Sequence, residues 1–129
     1  ARGTAYVAAK HYLRGDRAPY IWKTTDFGQT WTKIVAGIRA DAYVHVVRED
    51  RVRPGLLYAG TEHGVYVSFD DGASWRPLNM GLPDTQVSDL IVEANDLVIG
   101  THGRSAYVLD DIAPLREWAP DLVSPARRL

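Results

Sequence analysis

The octapeptide Ser68-Phe69-Asp70-Asp71-Gly72-Ala73-Ser74-Trp75 repeats the pattern of Thr24-Thr25-Asp26-Phe27-Gly28-Gln29-Thr30-Trp31, 44 residues earlier. Both copies carry a hydroxyl first, Asp third, Gly fifth, a hydroxyl seventh and Trp eighth. Matches at that many positions and one spacing restrict the chain to a repeat architecture. Each copy reads as a tight turn between an apolar strand and a strand led by a large aromatic. The Asp accepts bonds from backbone N–H groups a few residues on. Gly28 and Gly72 stand where positive φ is needed. The hydroxyls of Thr24, Thr30, Ser68 and Ser74 satisfy further turn groups, and Trp31 and Trp75 cover the turn. These residues, with Asp26 and Asp70, are read as structural, because repetition argues for a scaffold rather than for a catalytic carboxylate pair. Neither copy has the alternating acidic ligands, Gly and distant Glu of a calcium loop.

Strand-like runs lie at 4–9, 20–24, 31–34, 43–48, 56–61, 65–69, 74–78, 87–92, 97–101 and 106–109, separated by Gly, Pro, Asn and Asp. Overlaid by the repeat they give three copies, about 4–34, 43–78 and 87–111. Residues 57–61 match 97–101, and His45 and Asp89, again 44 apart, take the same place in their strands. A unit of four strands in about 40–45 residues is the signature of a β-propeller blade. The fold class expected is therefore all-β: a β-propeller segment of about three four-stranded blades, with the first and last incomplete. The first copy lacks its innermost strand and the third its outermost, its Asp turn reduced to Asp110-Asp111. Either Asp can cap a short C-terminal helix with Pro114 in its first turn. The blades are expected over 1–118 and an extended, loosely held tail over 119–129. Since the two ends cannot complete each other in one blade, the remaining blades of a larger chain, or other subunits, are expected partners.

The chain has 129 residues, 15 basic and 16 acidic, and no cysteine. That balance leaves no basic footprint for nucleic acid, and the absence of cysteine excludes disulfide and thiolate chemistry. No apolar run approaches the ~20 residues of a membrane span, and Ala1-Arg2-Gly3-Thr4 carries no signal-peptide pattern. No Ser-His-Asp order, metal-ligand spacing or phosphate loop is present, so no cofactor or metal is expected.

Candidate binding residues come from topology. With the strands of a blade called A to D from the axis outward, B–C turns and D–A connections emerge on one face, and A–B and C–D turns on the other. The B–C turns hold His11, Arg14, Asp16 and Arg17 in copy one, Glu62 and His63 in copy two, and His102 and Arg104 in copy three. Loops on a rigid scaffold commonly carry binding, and three successive turns bring imidazole or guanidinium to one face, opposite Asp26 and Asp70. His45 and Asp89 begin A strands close to that face. Glu62 with Asp16 or Asp89 would form a glycosidase acid pair only with carboxyls about 5–10 Å apart.

The Asp turns resemble the Asp-box, or bacterial neuraminidase repeat, of sialidases, xyloglucanases and sortilin-type propellers. Further stretches extend the resemblance to nearly the whole chain: Leu57-Tyr58-Ala59-Gly60-Thr61-Glu62-His63-Gly64-Val65-Tyr66, Gly100-Thr101-His102-Gly103-Arg104, and Leu109-Asp110-Asp111-Ile112 with Pro114-Leu115-Arg116. These are similar to the C-terminal part of bacterial sortilin-like or glycosyl hydrolase repeat proteins. The resemblance implies an exported protein whose Asp turns lie on the propeller rim, away from the ligand. The Phe/Tyr-Arg-Ile-Pro pattern of sialidases is missing. The function expected is a non-catalytic propeller segment binding a protein, peptide or glycan. The alternative is a fragment of an exported glycoside hydrolase whose catalytic carboxylates lie mostly outside this chain.

Overall fold

The computed structural model describes residues 3–8, 18–78, 85–101, 106–110, 112–116 and 127–128. Three antiparallel sheets follow one another along the chain. Blade 1 contains β1 (Ala5–Ala8), β2 (Ile21–Thr24) and β3 (Thr32–Lys33). Blade 2 contains β4 (Val44–Glu49), β5 (Leu57–Thr61), β6 (Gly64–Ser68) and β7 (Arg76–Pro77). Blade 3 contains β8 (Val87–Val92), β9 (Leu97–Thr101), β10 (Ala106–Leu109) and β11 (Arg127–Arg128), with the single-turn helix α1 (Ala113–Arg116) between the last two strands. The innermost strands β4 and β8 lie beside one another, and β1 lies beside β4. This is the blade arrangement of a β-propeller.

Strand β5 shows why the blades stack. Side chains alternate between the two faces of a sheet, and all five residues of β5 are buried, so both faces are covered. Leu57 and Ala59 join Ile21, Val44, Val47 and Trp75 in the cluster between blades 1 and 2. Tyr58 joins Val46, Val67, Val87, Leu90 and Ile99 in the cluster between blades 2 and 3. Gly60 is the point of closest approach. A Cβ there would stand 2.8 Å from a methyl of Val46 and 2.8 Å from a methyl of Val87. Such distances are far inside van der Waals contact, so blade 3 can sit on blade 2 only over a glycine.

Two expectations are corrected. Blade 3 does have a fourth strand. Arg127 and Arg128 pair with Val108 and Tyr107, in the register in which Arg76 and Pro77 pair with Val67 and Tyr66. The outer strand thus comes from the stretch expected as a free tail, beyond α1 rather than through an Asp turn. The rest of that stretch lies outside the described residues. Secondly, His45 and Asp89 are not counterparts. Gly60 pairs with Val46 and Gly100 with Asp89, each after a bulge. Asp89 therefore corresponds to Val46, and His45, the bulged residue, corresponds to Ser88. A bulge sets two residues against one, which hides the offset from simple counting.

Candidate functional site

The β5–β6 turn presents Glu62 and His63. Thr61, buried at the end of β5, accepts a bond from the His63 amide at 2.9 Å and donates its hydroxyl to the Gly64 carbonyl at 3.0 Å. Gly64 adopts φ of +87°, a conformation that costs a glycine little. The turn is tied to both neighbouring connections. The Glu62 amide donates to the Tyr43 carbonyl, and the Gly64 amide to the Thr85 carbonyl, both at 2.9 Å.

Two imidazoles, two carboxylates and a guanidinium gather there. His45 Nε2 lies 3.2 Å from Glu62 Oε1, and the Tyr43 ring packs edge-on against the His45 ring with centroids 5.2 Å apart. His63 Nε2 lies 3.7 Å from Asp41 Oδ2. Asp41 also accepts two bonds from Arg39, at 2.9 and 2.8 Å. The fork of Arg39 holds the Asp41 carboxyl below the usual carboxylate range. Adjacent residues of one turn thus reach Asp41 in the connection ahead of β4 and His45 within β4, giving two imidazole–carboxylate pairs. His45 and Glu62 are mostly covered, whereas Asp41 and Arg39 are half exposed. The arrangement places donors and acceptors at the solvent edge while fixing their positions from beneath.

Asp89 is engaged elsewhere. It accepts the Leu90 amide at 2.9 Å and stands 3.7 Å from the Arg48 guanidinium. Arg48 also donates to the carbonyls of Leu90 and Val47. His11, Arg14, Asp16, Arg17, His102 and Arg104 lie outside the described residues. Arg39, Asp41 and Tyr43 were not expected at the cluster. Their signal in the sequence is the polar alternation Arg39-x-Asp41-x-Tyr43-x-His45 directly ahead of an apolar strand.

The Asp turns lie at the other end of the blades. In the β5–β6 ladder Thr61 pairs with Gly64 at one end and Leu57 with Ser68 at the other. Asp70 Oδ1 accepts the Ser68 hydroxyl at 2.8 Å and the Ser74 amide at 2.9 Å, and Oδ2 accepts the Ser74 hydroxyl at 2.6 Å. The Ser68 hydroxyl accepts the Gly72 amide at 2.8 Å. Thr24, Asp26, Gly28 and Thr30 make the same four bonds at 2.7, 2.9, 2.6 and 2.9 Å. Gly28 and Gly72 both have φ of +88°, and each follows a non-glycine residue with positive φ, Phe27 and Asp71.

The position after the Asp is where the two turns diverge. Asp71 takes the Tyr6 hydroxyl and the Lys23 ammonium of blade 1, whereas Phe27 is 74% exposed. The turn between β4 and β5 contributes a buried carboxylate, Asp50. It accepts the amides of Val52 and Arg53, the Tyr58 hydroxyl and Nε of Arg116 from α1. Burial alone would push the Asp50 carboxyl up, but the bonds from Arg116 and the two amides outweigh it and hold it below the ordinary range. These contacts join blades and position α1. Among the described residues no group of three potential metal ligands forms, and no helix is long and apolar enough to cross a membrane.

No family model matches the chain, and no curated protein matches it. Solved structures do. One, described as YCF48 bound to D1 peptide, superposes with a TM-score of 0.53 at 17% identity, over 85% of this chain and 33% of that one. The chain thus spans about a third of the length of that structure. Likeness at this identity speaks to the fold.

Proposed function

We propose that the chain is a non-catalytic segment of a larger Asp-box-type propeller, and that it binds a protein or peptide on the face carrying Glu62 and His63. The observation that carries this reading is the paired cluster His45–Glu62 and His63–Asp41–Arg39. It sets fixed imidazole, carboxylate and guanidinium groups on one blade end, away from the scaffold bonds of the Asp turns. Main-chain amides, carbonyls and carboxylates of a peptide complement that set. The comparison structure is a propeller with a bound peptide, which makes short peptides the first probe. The glycoside hydrolase alternative requires a proton-donating carboxyl and a second carboxylate facing it. Glu62, Asp41 and Asp89 are instead each held by His45, Arg39 and Arg48, which supports the binding reading.

The test is amide chemical-shift mapping with a pooled library of short peptides bearing free C-termini. Binding peptides are expected to shift Glu62, His63 and Asp41, and Arg39→Ala should weaken them without altering the melting transition. Shifts confined to the Asp-turn end would overturn the assignment.

A further inference from the structure

Blade 1 differs from the other two at one place. Blades 2 and 3 begin with β4 and β8, whereas β1 is the edge of a three-stranded sheet. By the ladders, Ala5 corresponds to Leu57 and Leu97, and Ala8 to Gly60 and Gly100. The positions that β4 and β8 occupy have no counterpart beside β1 among the described residues.

We infer that the inner edge of β1 is a strand-acceptor site, and that its occupant is the innermost strand of a further repeat of this propeller, added antiparallel with the bulged register of β8. The two complete blades specify what such a strand must look like. Val47 and Leu90 are buried and pair with Ala59 and Ile99; the residue paired with Val7 must likewise be aliphatic. Val7 is 45% exposed where its counterpart Ala59 is fully buried. The unpaired N–H and C=O groups of an edge strand supply the ladder.

The structure also discriminates between the two templates. Opposite the glycine, β4 carries Val46 and β8 carries Asp89. A Cβ on Gly60 would fall 2.8 Å from the Val46 methyl, but a Cβ on Gly100 would fall 3.5 Å from Asp89 Cβ, an ordinary contact. Blade 1 has alanine, not glycine, at this position. Its Cβ excludes a strand of the β4 kind and admits one of the β8 kind. The occupant therefore carries an unbranched or small residue opposite Ala8.

The probes are two synthetic peptides, one with the sequence of residues 85–93 and one with that of residues 42–50, added to the 129-residue chain. Hydrogen exchange at residues 5–8 is the readout. The first peptide is expected to slow exchange at β1 by about tenfold or more at saturation, and the second to do so much less. Ala8→Gly should restore protection by the second peptide, a gain that a misfolded variant cannot mimic. An Ile91→Pro version of the first peptide should not protect, since Ile91, paired with Val98 in β8, carries an amide on the ladder side and proline removes that donor. Equal protection by both peptides, or by the proline version, would overturn the inference, as would no protection at β1. Shifts at Glu62 and His63 alone would also overturn it and leave the separate peptide-binding face standing.

Discussion

The indole nitrogen of Trp75 donates to the backbone carbonyl of Ile34 at 2.8 Å, across the junction between blades 2 and 1. The Trp75 amide donates to the neighbouring Ala36 carbonyl, also at 2.8 Å. The connection leaving blade 1 is thus seated on the Trp of the next blade's Asp turn. Trp31, its counterpart, donates instead to the Gly28 carbonyl of its own turn and is 43% exposed, against 5% for Trp75. One sequence device thus makes a bond between blades in blade 2 and a local bond in blade 1.

The two tryptophans should therefore differ sharply in their contribution to stability. Trp75→Ala removes a buried ring and leaves the Ile34 carbonyl without its donor, and should cost about 3–5 kcal/mol. Trp31→Ala should cost about 1 kcal/mol, since half its surface is already in water and its bond is local. Urea titrations of both variants check this. Equal losses would show that the blade junction is not what Trp75 stabilises.

Gly60 and Gly64 separate crowding from backbone strain. Gly60→Ala places a methyl into Val46 and Val87 and should cost about 1–3 kcal/mol by overpacking. Gly64 has φ of +87° but open space around the position of a Cβ, so Gly64→Ala should cost about 1–2 kcal/mol from the left-handed backbone alone. Asparagine tolerates that conformation. Gly64→Asn should accordingly recover part of the loss, whereas Gly60→Asn should be worse than Gly60→Ala. Thermal melts of the four variants distinguish the two causes, and recovery at position 60 would contradict the packing argument.

Acid should weaken the fold through carboxylates that the native state holds charged. Hydrogen bonds from the Thr30 hydroxyl, the Thr30 amide and Thr24 hold Asp26 down to about 2. For Asp70, burial acts upward, but the bonds from Ser74 and Ser68 outweigh it and hold the carboxyl low; Asp50 behaves likewise. The folded values lie below the ~3.9 of an unfolded Asp. The stabilisation is therefore complete above that value and is lost as pH falls through the folded ones. Stability measured by denaturant from about pH 6 down to about pH 2 should drop below about pH 4. Asp70→Asn should flatten the drop, and an unchanged slope would remove Asp70 from its causes.

Much of the fold is legible in the chain because the bonds that define it are local. Thr24 to Trp31 and Ser68 to Trp75 close upon themselves through contacts two to four residues apart, so their residue types must appear in order and at fixed spacing. The strand at 56–61 is legible as a continuous apolar run, and the end of the blade to which Glu62 and His63 belong follows from strand direction alone. Contacts between residues distant in sequence leave no such trace. Asp50 and Arg116 meet across 66 positions, and two arginines with no strand pattern complete blade 3 because the edge of β10 is there to receive them. His45 shifts out of step with Asp89 through a bulge that only the pairing partner reveals. Residue order and spacing alone specify the repeat, the turns and the three blades. The tertiary structure decided which side chains meet between blades, because those contacts depend on how sheets stack and strands pair, and many residue combinations satisfy the same local pattern.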